Sequence, residues 1–308
     1  MSSINTNIAA MTALQTLRST NSELLQTQNR ISTGLRVSSA SDNAAYWSIA
    51  TTMRNDRQSI STVSDALGLG SATAEIASKG IETAIKVASE IKDKLLAART
   101  PGVDRSKIQT EIAELQESLK AVVEGASFNG QNWLQTSSDD QDSRTIVSSF
   151  SRGSDGKISI GTISVDLEST RLVDTSTGAS AGGILDADIA MATGTGTTTV
   201  LDLDISALED TADDLADLEA MISGVDAAIE KMTDAASTLG AVKTRIDIQK
   251  DFSDSLMAAI DKGVGQLVDA DMNEESTRLQ ALQVRQQLGI QALGIANQSA
   301  QSILSLFR

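Results

Sequence analysis

Histidine and cysteine, the side chains that most often serve as bases, nucleophiles and transition-metal ligands, do not occur in this sequence. Without them the chain lacks the usual ligands of zinc sites, the most frequent general base and any thiolate. Carboxylate, lysine and Mg²⁺ or Ca²⁺ chemistry remain open. Asp269 and Asp271 suggest an acid–base pair, but side chains two residues apart on a helix do not face each other. We therefore predict that the chain is not an enzyme and holds no cofactor or metal.

Charge is distributed unevenly along the chain. The net charge is −16, and residues 172–219 contain eleven acidic residues and no Lys or Arg. A surface of this kind repels nucleic acid and anionic lipid, so we expect neither as a partner. A solvated outer face explains the acidic run. The alternative, a calcium site, needs Asp or Asn at fixed alternate positions and a closing Glu, and the sequence contains no such loop.

The N-terminal residues carry no basic segment followed by an apolar one, so we expect no Sec signal peptide. The sequence also contains no run that is long and apolar enough to predict a membrane-spanning helix. If the protein leaves the cell, it must use another route.

Aromatic residues make up only 2% of the chain, which makes the adjacent Tyr46 and Trp47 conspicuous. Two interpretations remain open for this pair: a packing anchor within one copy, or a contact between copies, where aromatic residues are enriched. The triplet at 297–299 has the pattern of an N-glycosylation site. It lies on a predicted packed helix, so we expect no glycan there.

Most of the chain is predicted to form long helices. Apolar residues recur with alternating spacings of 3 and 4, the pattern of a coiled-coil seam. Many seam positions are Ala or Gly, which lets helices approach closely and favours a slender bundle of three or four helices. Shorter seams follow at 108–122 and 215–239. The longest seam consists of Ile60, Val63, Leu67, Gly70, Ala74, Ala77, Ile81, Ala84, Ala88, Ile91 and Leu95.

The two ends of the chain carry apolar seams of their own. The C-terminal seam is interrupted by Glu275, Gln286 and Gly289, and a single helix of this quality is marginal alone. We expect the ends to become ordered only against partners; the alternative is a single intramolecular core, because one seam cannot report what covers it. The residues predicted to drive polymerisation are Ile4, Ile8, Met11, Leu14, Leu17 and Leu35 in the first seam and Leu279, Leu282, Leu293, Ile303 and Phe307 in the last.

The middle of the chain is predicted to be β-structure. β-Branched residues alternate in residues 145–150 and 157–165, and Gly153, Asp155 and Gly156 lie between these runs at the position of a hairpin turn. Residues 175–199 are rich in Gly, Ala, Ser and Thr, which indicates a loose surface insertion or short strands. The predicted fold class is therefore mainly α: a coiled-coil-like bundle formed by the N- and C-terminal arms, with β-hairpins and a small variable outer insertion.

Four segments resemble bacterial flagellins and occur in the family's order: SINTNIAA at 3–10, RISTGLRV at 30–37, FNGQN at 128–132 and ANQSAQSILSL at 296–306. The segment DNAAYWSIA at 42–50 is most similar to flagellins of the rhizobial group. The resemblance covers about residues 1–135 and 215–308. It implies a structural subunit that polymerises into the flagellar filament for swimming motility. A hook–filament junction protein, another type III-exported coiled-coil protein and, from a different class, a secreted monomeric adhesin are the alternatives.

The resemblance also implies an architecture and a set of partners. Residues 1–40 with 268–308 would form an inner helical domain lining the channel, 41–165 with 207–267 a helical bundle with β-hairpins, and 166–206 a small variable outer region. The partners would be further copies of the chain, a C-terminal export chaperone, and the flagellar cap and junction proteins. The protein would be extracellular, exported by the flagellar type III apparatus without a cleaved signal peptide.

Two departures from the family bear on innate immune recognition. Residues 89–99, SEIKDKLLAAR, lack the Arg-Glu-Leu tripeptide that many flagellins present to the animal receptor. In the plant-recognised segment, residues 29–50, SDNAAY stands at 41–46 in place of the usual KDDAAG. We expect weak or no recognition by either receptor.

Overall fold

The computed structural model describes residues 7–137, 143–153, 155–176, 182–193 and 196–306, with side chains described as far as residue 298. The chain divides into two compact units, Met1–Gln58 with Met257–Arg308, and Ser59–Leu256. The helices are α1 (Ile8–Thr33), α2 (Ala44–Ala98), α3 (Arg105–Gly125), α4 (Ala212–Val268) and α5 (Met272–Leu306). The strands are β1 (Ser127–Phe128), β2 (Gln131–Asn132), β3 (Gln135–Thr136), β4 (Ser143–Arg152), β5 (Ile158–Asp166), β6 (Val173–Asp174), β7 (Ile189–Ala190) and β8 (Thr197–Thr198).

The predicted seam of α2 lies in the core of the Ser59–Leu256 unit. Every seam residue from Ile60 to Leu95 is buried, as the 3–4 spacing requires of a stripe that faces other helices. The facing seams contribute buried residues such as Leu119 on α3 and Leu239 on α4. The mainly helical fold class is therefore confirmed.

In the same unit, polar pairs connect α4 with α2 and with Arg99, the residue that follows α2. In each pair the two residue numbers add to 318, which is the relation expected of antiparallel helices of equal rise with no insertion in either. These pairs therefore lie in one unbroken register. They are Ser64–Asp254 at 3.1 Å, Ser71–Asp247 at 3.0 Å, Glu75–Lys243 at 3.0 Å, Lys92–Asp226 at 2.9 Å and Arg99–Glu219 at 3.5 Å.

Two antiparallel hairpins follow α3, and the second lies where the sequence predicted one. In the first, β1 and β2 are joined by Asn129 and Gly130, whose φ angles of 51° and 75° fit a two-residue turn that matches the strand twist. In the second, β4 pairs with β5 from Ser143–Asp166 to Arg152–Ile158, with an irregularity between Val147 and Ser149. Its turn lies at the predicted Gly153, Asp155 and Gly156: the N–H of Gly153 donates to the carbonyl of Lys157 at 2.8 Å, and Gly156 has φ 79°.

Residues 166–206 form short strands and one 3-10 turn, Val200–Asp202, rather than a loose insertion over the described residues. β6 pairs in parallel with β3, and β7 pairs antiparallel with β8. The segment packs on the core of its unit because its apolar side chains are buried: Leu167, Leu172, Ile184, Leu185, Ile189, Val200, Leu201, Leu203 and Ile205. The three-part division of the chain, with 166–206 as an outer region, stays a prediction.

The prediction that the acidic run forms a solvated face is wrong for Asp174 and Asp217. The side chain of Asp174 is fully buried, pairs with Arg171 at 3.5 Å and accepts the N–H of Gly182 at 3.0 Å. Asp217 is buried and accepts the N–H and the hydroxyl of Thr193, each at 2.9 Å. These carboxylates satisfy loop donors that would otherwise be unpaired.

Candidate functional site

Helices α1 and α5, the two ends of the chain, pack side by side as an antiparallel pair in the unit Met1–Gln58 with Met257–Arg308. α1 is capped at its start by Asn7, whose side-chain oxygen accepts the N–H of Ala10 at 3.0 Å, and at its end by Gly34, which has φ 72°. α5 begins after Asp271, which accepts the N–H of Asn273 at 2.8 Å. Such caps satisfy helix-end groups locally, so each end helix has a defined start.

Glu275, Gln286 and Gly289, which interrupt the apolar C-terminal seam, each lie against a residue of α1. Glu275 is buried and pairs with Arg30 at 3.0 Å. Gln286 donates to the side-chain oxygen of Asn21 at 2.7 Å. Gly289 leaves room for the α1 side chain Leu17, whose Cδ1 would lie 3.1 Å from a Cβ at this position. The apparent defects of the seam therefore set the register of the helix pair.

A third polar contact involves Asn7, near the start of α1. Its amide nitrogen donates to the carbonyl of Ala296 at 2.9 Å, while its oxygen caps α1. Together the contacts run from the start of α1 against the end of α5 to the end of α1 against the start of α5. The part-buried Arg30–Glu275 pair and the side-chain amides fix which residues face each other, while desolvation offsets much of the attraction between the two charges.

The helix pair buries very little apolar surface. Within the described side chains of α1 and α5, the buried apolar residues are Leu24 and Leu282. Nine large apolar side chains of the two helices are instead exposed, up to 66% for Ile8 and 69% for Ile295. They are Ile8, Met11, Leu14 and Leu25 on α1 and Met272, Val284, Leu288, Ile290 and Ile295 on α5. Exposed apolar sets of this size mark interaction surfaces.

The predicted polymerisation residues lie in three different environments. Ile8, Met11 and Leu14 are exposed, Leu282 is buried, and the half-buried members are Leu17, Leu35, Leu279 and Leu293. Leu35 lies beyond α1 and forms an isolated bridge with Asp269. Ile4 and Phe307 lie outside the described residues, and so does the side chain of Ile303. Their role in polymerisation stays a prediction.

Several exposed apolar residues of α5 lie outside the C-terminal seam predicted from the sequence. Val284, Leu288 and Ile295 follow one another at spacings of 4 and 7, which places them on one helix face. That face differs from the seam of Leu279, Leu282 and Leu293 that was recognised. The sequence does contain this second apolar stripe, at spacings of 4 and 7. Helix α5 is therefore apolar on more than one side.

A small apolar cluster joins the segments that follow α1 and end α4. Val37, Ala50, Val264 and Val268 are buried together. The N–H of Arg36 donates to the carbonyl of Val268 at 2.7 Å. This cluster lies in the same unit as α1 and α5, and along the chain it is close to the end of α1 and the start of α5.

The loop between α1 and α2 is organised by Asp42. Its carboxylate accepts the N–H of Ser39 at 3.0 Å and the N–H of Ser38 at 3.1 Å. The N–H of Ser39, followed by the hydroxyl and N–H of Ser38, lowers the pKa of Asp42 below its ordinary value of 3.8. Because the folded pKa is depressed, this carboxylate stabilises the loop at neutral pH, and that contribution is lost as the pH falls below 3.8 through the lowered pKa.

Tyr46 and Trp47 lie in the first turn of α2, and both are partly exposed, at 42% and 39%. The N–H of Tyr46 donates to the side-chain oxygen of Asn43 at 3.1 Å, so Asn43 begins the helix. Neither ring belongs to the neighbouring apolar cluster of Val37, which leaves much of their apolar surface open to water.

Across the part of the chain that the structure describes, no group of three or more acidic side chains is arranged to hold a metal ion. Asp269 forms a backbone bridge with Leu35, and the side chain of Asp271 caps α5. None of the helices, within the same described ranges, is long and apolar enough to cross a bilayer. The exposed apolar side chains of α1 and α5 are what this site offers for packing against other apolar surfaces.

Comparison with known proteins gives matches at both ends of the chain and over its full length. The model of the bacterial flagellin N-terminal helical region matches residues 4–139, and that of the bacterial flagellin C-terminal helical region matches residues 222–307. "Flagellin C" of Rhizobium meliloti strain 1021 is 50% identical and "Flagellin" of Brucella melitensis biotype 1 is 44% identical, each over 100% of both chains. The crystal structure of Bacillus cereus flagellin is 18% identical with a TM-score of 0.37, covering 63% of this chain and 88% of that one.

Proposed function

The chain belongs to the bacterial flagellin family, whose members build the flagellar filament, and we propose that it polymerises by burying the outward apolar side chains of α1 and α5 against neighbouring copies. It is a structural subunit of an extracellular filament that assembles with itself. The resemblance of its end segments to flagellins, and of residues 42–50 to those of the rhizobial group, agrees with these relatives.

The observation that carries the proposal is the imbalance between buried and exposed apolar side chains in the end helices. Two are buried and nine are exposed within the described side chains of α1 and α5. Burying one such side chain completely is worth about 1.5–3 kcal/mol relative to leaving it in water. Covering this set in an assembly therefore supplies a large free energy of polymerisation, because net stabilities of folded chains are only about 5–15 kcal/mol.

Seeded polymerisation tests this mechanism. Purified monomer is added to sheared filament fragments, and the pelleted protein is measured against concentration. The full-length chain should extend the seeds, while a chain lacking 272–308 should not. A junction protein, the main alternative, would cap seeds without extending them, and a monomeric adhesin would leave them unchanged. A truncated chain that polymerises normally would contradict the end-helix mechanism.

A point substitution gives a sharper version of the same test. Leu288→Ser removes one exposed apolar side chain of α5, and Gln287→Ser alters its exposed polar neighbour as a matched control. We expect Leu288→Ser to raise the critical concentration for assembly by about 10–100-fold, because 1.4 kcal/mol corresponds to a factor of ten. Gln287→Ser should leave it nearly unchanged. Equal critical concentrations for the two variants would contradict a packing role for this face.

The proposal extends to the exposed ring pair and to the partners of the exported chain. We assign Tyr46 and Trp47 to a contact with a neighbouring copy, supported by their partial exposure.

By family resemblance, the flagellar type III apparatus exports the chain, a chaperone holds its C-terminal helix, and a cap protein guides assembly. We also propose weak or no activation of the innate receptors, and a strong response to nanomolar monomer would contradict that.

A further inference from the structure

Two further apolar patches lie in the Ser59–Leu256 unit, away from the end helices. Among the described residues of this unit, four large apolar side chains are more than half exposed, at 56–66%. Two of them, Ile158 and Ile160, form what we call the hairpin patch on β5. The other two, Ile248 and Phe252, form the helix patch on α4. Other exposed apolar residues of the unit, such as Leu69 at 47%, are less open.

The hairpin patch is the outer face of the β4–β5 hairpin. On β5, Ile163 and Val165 are buried, and side chains alternate between the two faces of a strand. Ile158 and Ile160 therefore point away from the core of the unit. Phe150 lies directly opposite Ile160 on β4 but is half-buried and packs against the core of the unit, so the hairpin patch consists of Ile158 and Ile160 alone.

The helix patch reverses the usual arrangement of an amphipathic helix. Ser253 is buried at 3% exposure, while its neighbour Phe252 is largely exposed. Ile246 is fully buried, and Ile248, two residues later, lies about 200° further round the helix, on the opposite side. Phe252 follows Ile248 by one turn, so the two form a continuous apolar ridge. A solvated helix face would carry polar residues at these positions.

We propose that the hairpin patch of one copy docks on the helix patch of a neighbouring copy in the assembled filament. This inference rests on the proposed function, because it takes the occupant to be a second copy of the chain. When unlike patches dock, the growing series keeps a free hairpin patch at one end and a free helix patch at the other. The contact can therefore repeat without limit. Contacts between like patches would instead relate each pair of copies by a two-fold axis, whereas an open helical filament is generated by head-to-tail contacts between unlike surfaces. The unlike pairing covers both patches in one repeating contact.

Cysteine cross-linking tests the pairing directly, because the natural chain contains no cysteine. Ile160→Cys and Phe252→Cys are introduced into separate chains, one of them carrying an affinity tag. Mixed filaments are then oxidised, or treated with a short bismaleimide to allow for pairs too far apart for a disulfide. We expect dimers that join one chain of each variant. Filaments of either variant alone should give few dimers, because position 160 would not meet a second position 160.

Glu114→Cys provides the matched control, since Glu114 is exposed on α3 in the same unit. Mixed with Phe252→Cys, it should give no dimers. Normal filaments without cross-links between positions 160 and 252, or with equal cross-links in single-variant filaments, would overturn the pairing and leave the end-helix mechanism intact. A wild-type chain that fails to extend seeds would instead overturn the proposed function.

Charge substitutions give an independent readout. Ile160→Asp and Phe252→Asp place a carboxylate in an exposed patch, so the monomer should keep its thermal midpoint. Each should raise the critical concentration for assembly at least ten-fold. If Ile160→Cys or Phe252→Cys blocks assembly while Glu114→Cys assembles, that result would also support the docking surface. Assembly of both Asp variants at the wild-type concentration would contradict the docking surface.

Discussion

Asp186 belongs to the acidic run that was predicted to be solvated, yet its ionised carboxylate lowers the stability of the fold. It is half-buried, and its Oδ2 accepts the N–H of Asp174 at 2.7 Å. Burial raises the pKa of Asp186 above its ordinary value of 3.8, and the negative charges of Asp174 and Asp202 raise it further, against the hydrogen bond and Lys120, which lower it. Since the folded pKa is raised, ionisation opposes folding: the cost is absent below pH 3.8, develops as the pH rises through the raised pKa, and persists at neutral pH.

Removing that charge should therefore stabilise the protein at neutral pH. Asp186→Asn keeps an oxygen that can accept the N–H of Asp174 and loses the ionised form. We expect the thermal midpoint at pH 7.5 to rise by roughly 1–3 °C, since ~1 kcal/mol shifts it by ~2–4 °C in domains of this size. The gain should disappear below pH 3.8. Exposed Asp188, substituted by Asn, is the control, and a lower midpoint for Asp186→Asn than for this control would show that the charge stabilises the fold.

At the scale of the element, helix α2 shows that a glycine in the buried seam and a glycine outside it have different roles. A Cβ on Gly70 would lie 2.7 Å from Cδ1 of Ile146, a buried side chain of β4. A Cβ on Gly68, two residues earlier, would meet nothing within 4 Å. The hairpin therefore approaches α2 closely at one glycine, while the other is only a poor helix former.

This difference predicts opposite signs for two alanine substitutions. Gly70→Ala should destabilise the unit by about 1–3 kcal/mol, because a packed core tolerates an added methyl poorly. Gly68→Ala should stabilise it by up to about 1 kcal/mol, because alanine gains helix propensity without a clash. Urea unfolding of the two variants beside the wild type measures both effects. The same sign for both would mean that Ile146 moves aside and that the close approach is not required.

The elements that periodicity governs could be predicted, and those governed by distant partners could not. The heptad from Ile60 to Leu95 predicted the burial of α2 because every third or fourth residue repeats the same environment. The segment 166–206 has no such period, so its burial could not be inferred. The role of Glu275 could not be inferred either, because its partner Arg30 lies 245 residues away along the chain.

On the scale of the whole molecule, the two compact units differ in how they are held together. The Ser59–Leu256 unit has a large apolar core of side chains from α2, α3, α4 and the hairpins. The other unit has the small cluster around Val37 and Val268, while α1 and α5 bury only Leu24 and Leu282 among their described apolar side chains and are joined by a few polar contacts. Elements with few buried apolar contacts open at low free-energy cost. The interrupted C-terminal seam predicted a weakly packed end helix. It did not predict which residues of α1 pair with Glu275 and Gln286.

Hydrogen–deuterium exchange of monomer and filament should reveal this difference as protection that depends on assembly. In the monomer, amides of 8–33 and 272–306 should exchange orders of magnitude faster than those of 67–95, whose seam side chains are buried. In the filament the end helices should become as slow as α2, because neighbouring copies cover their apolar faces and binding stabilises only the folded state. The segment 67–95, slow in both forms, serves as the internal control. Strong protection of both end helices in the monomer would mean that the pair is stable alone, and that polymerisation does not order it.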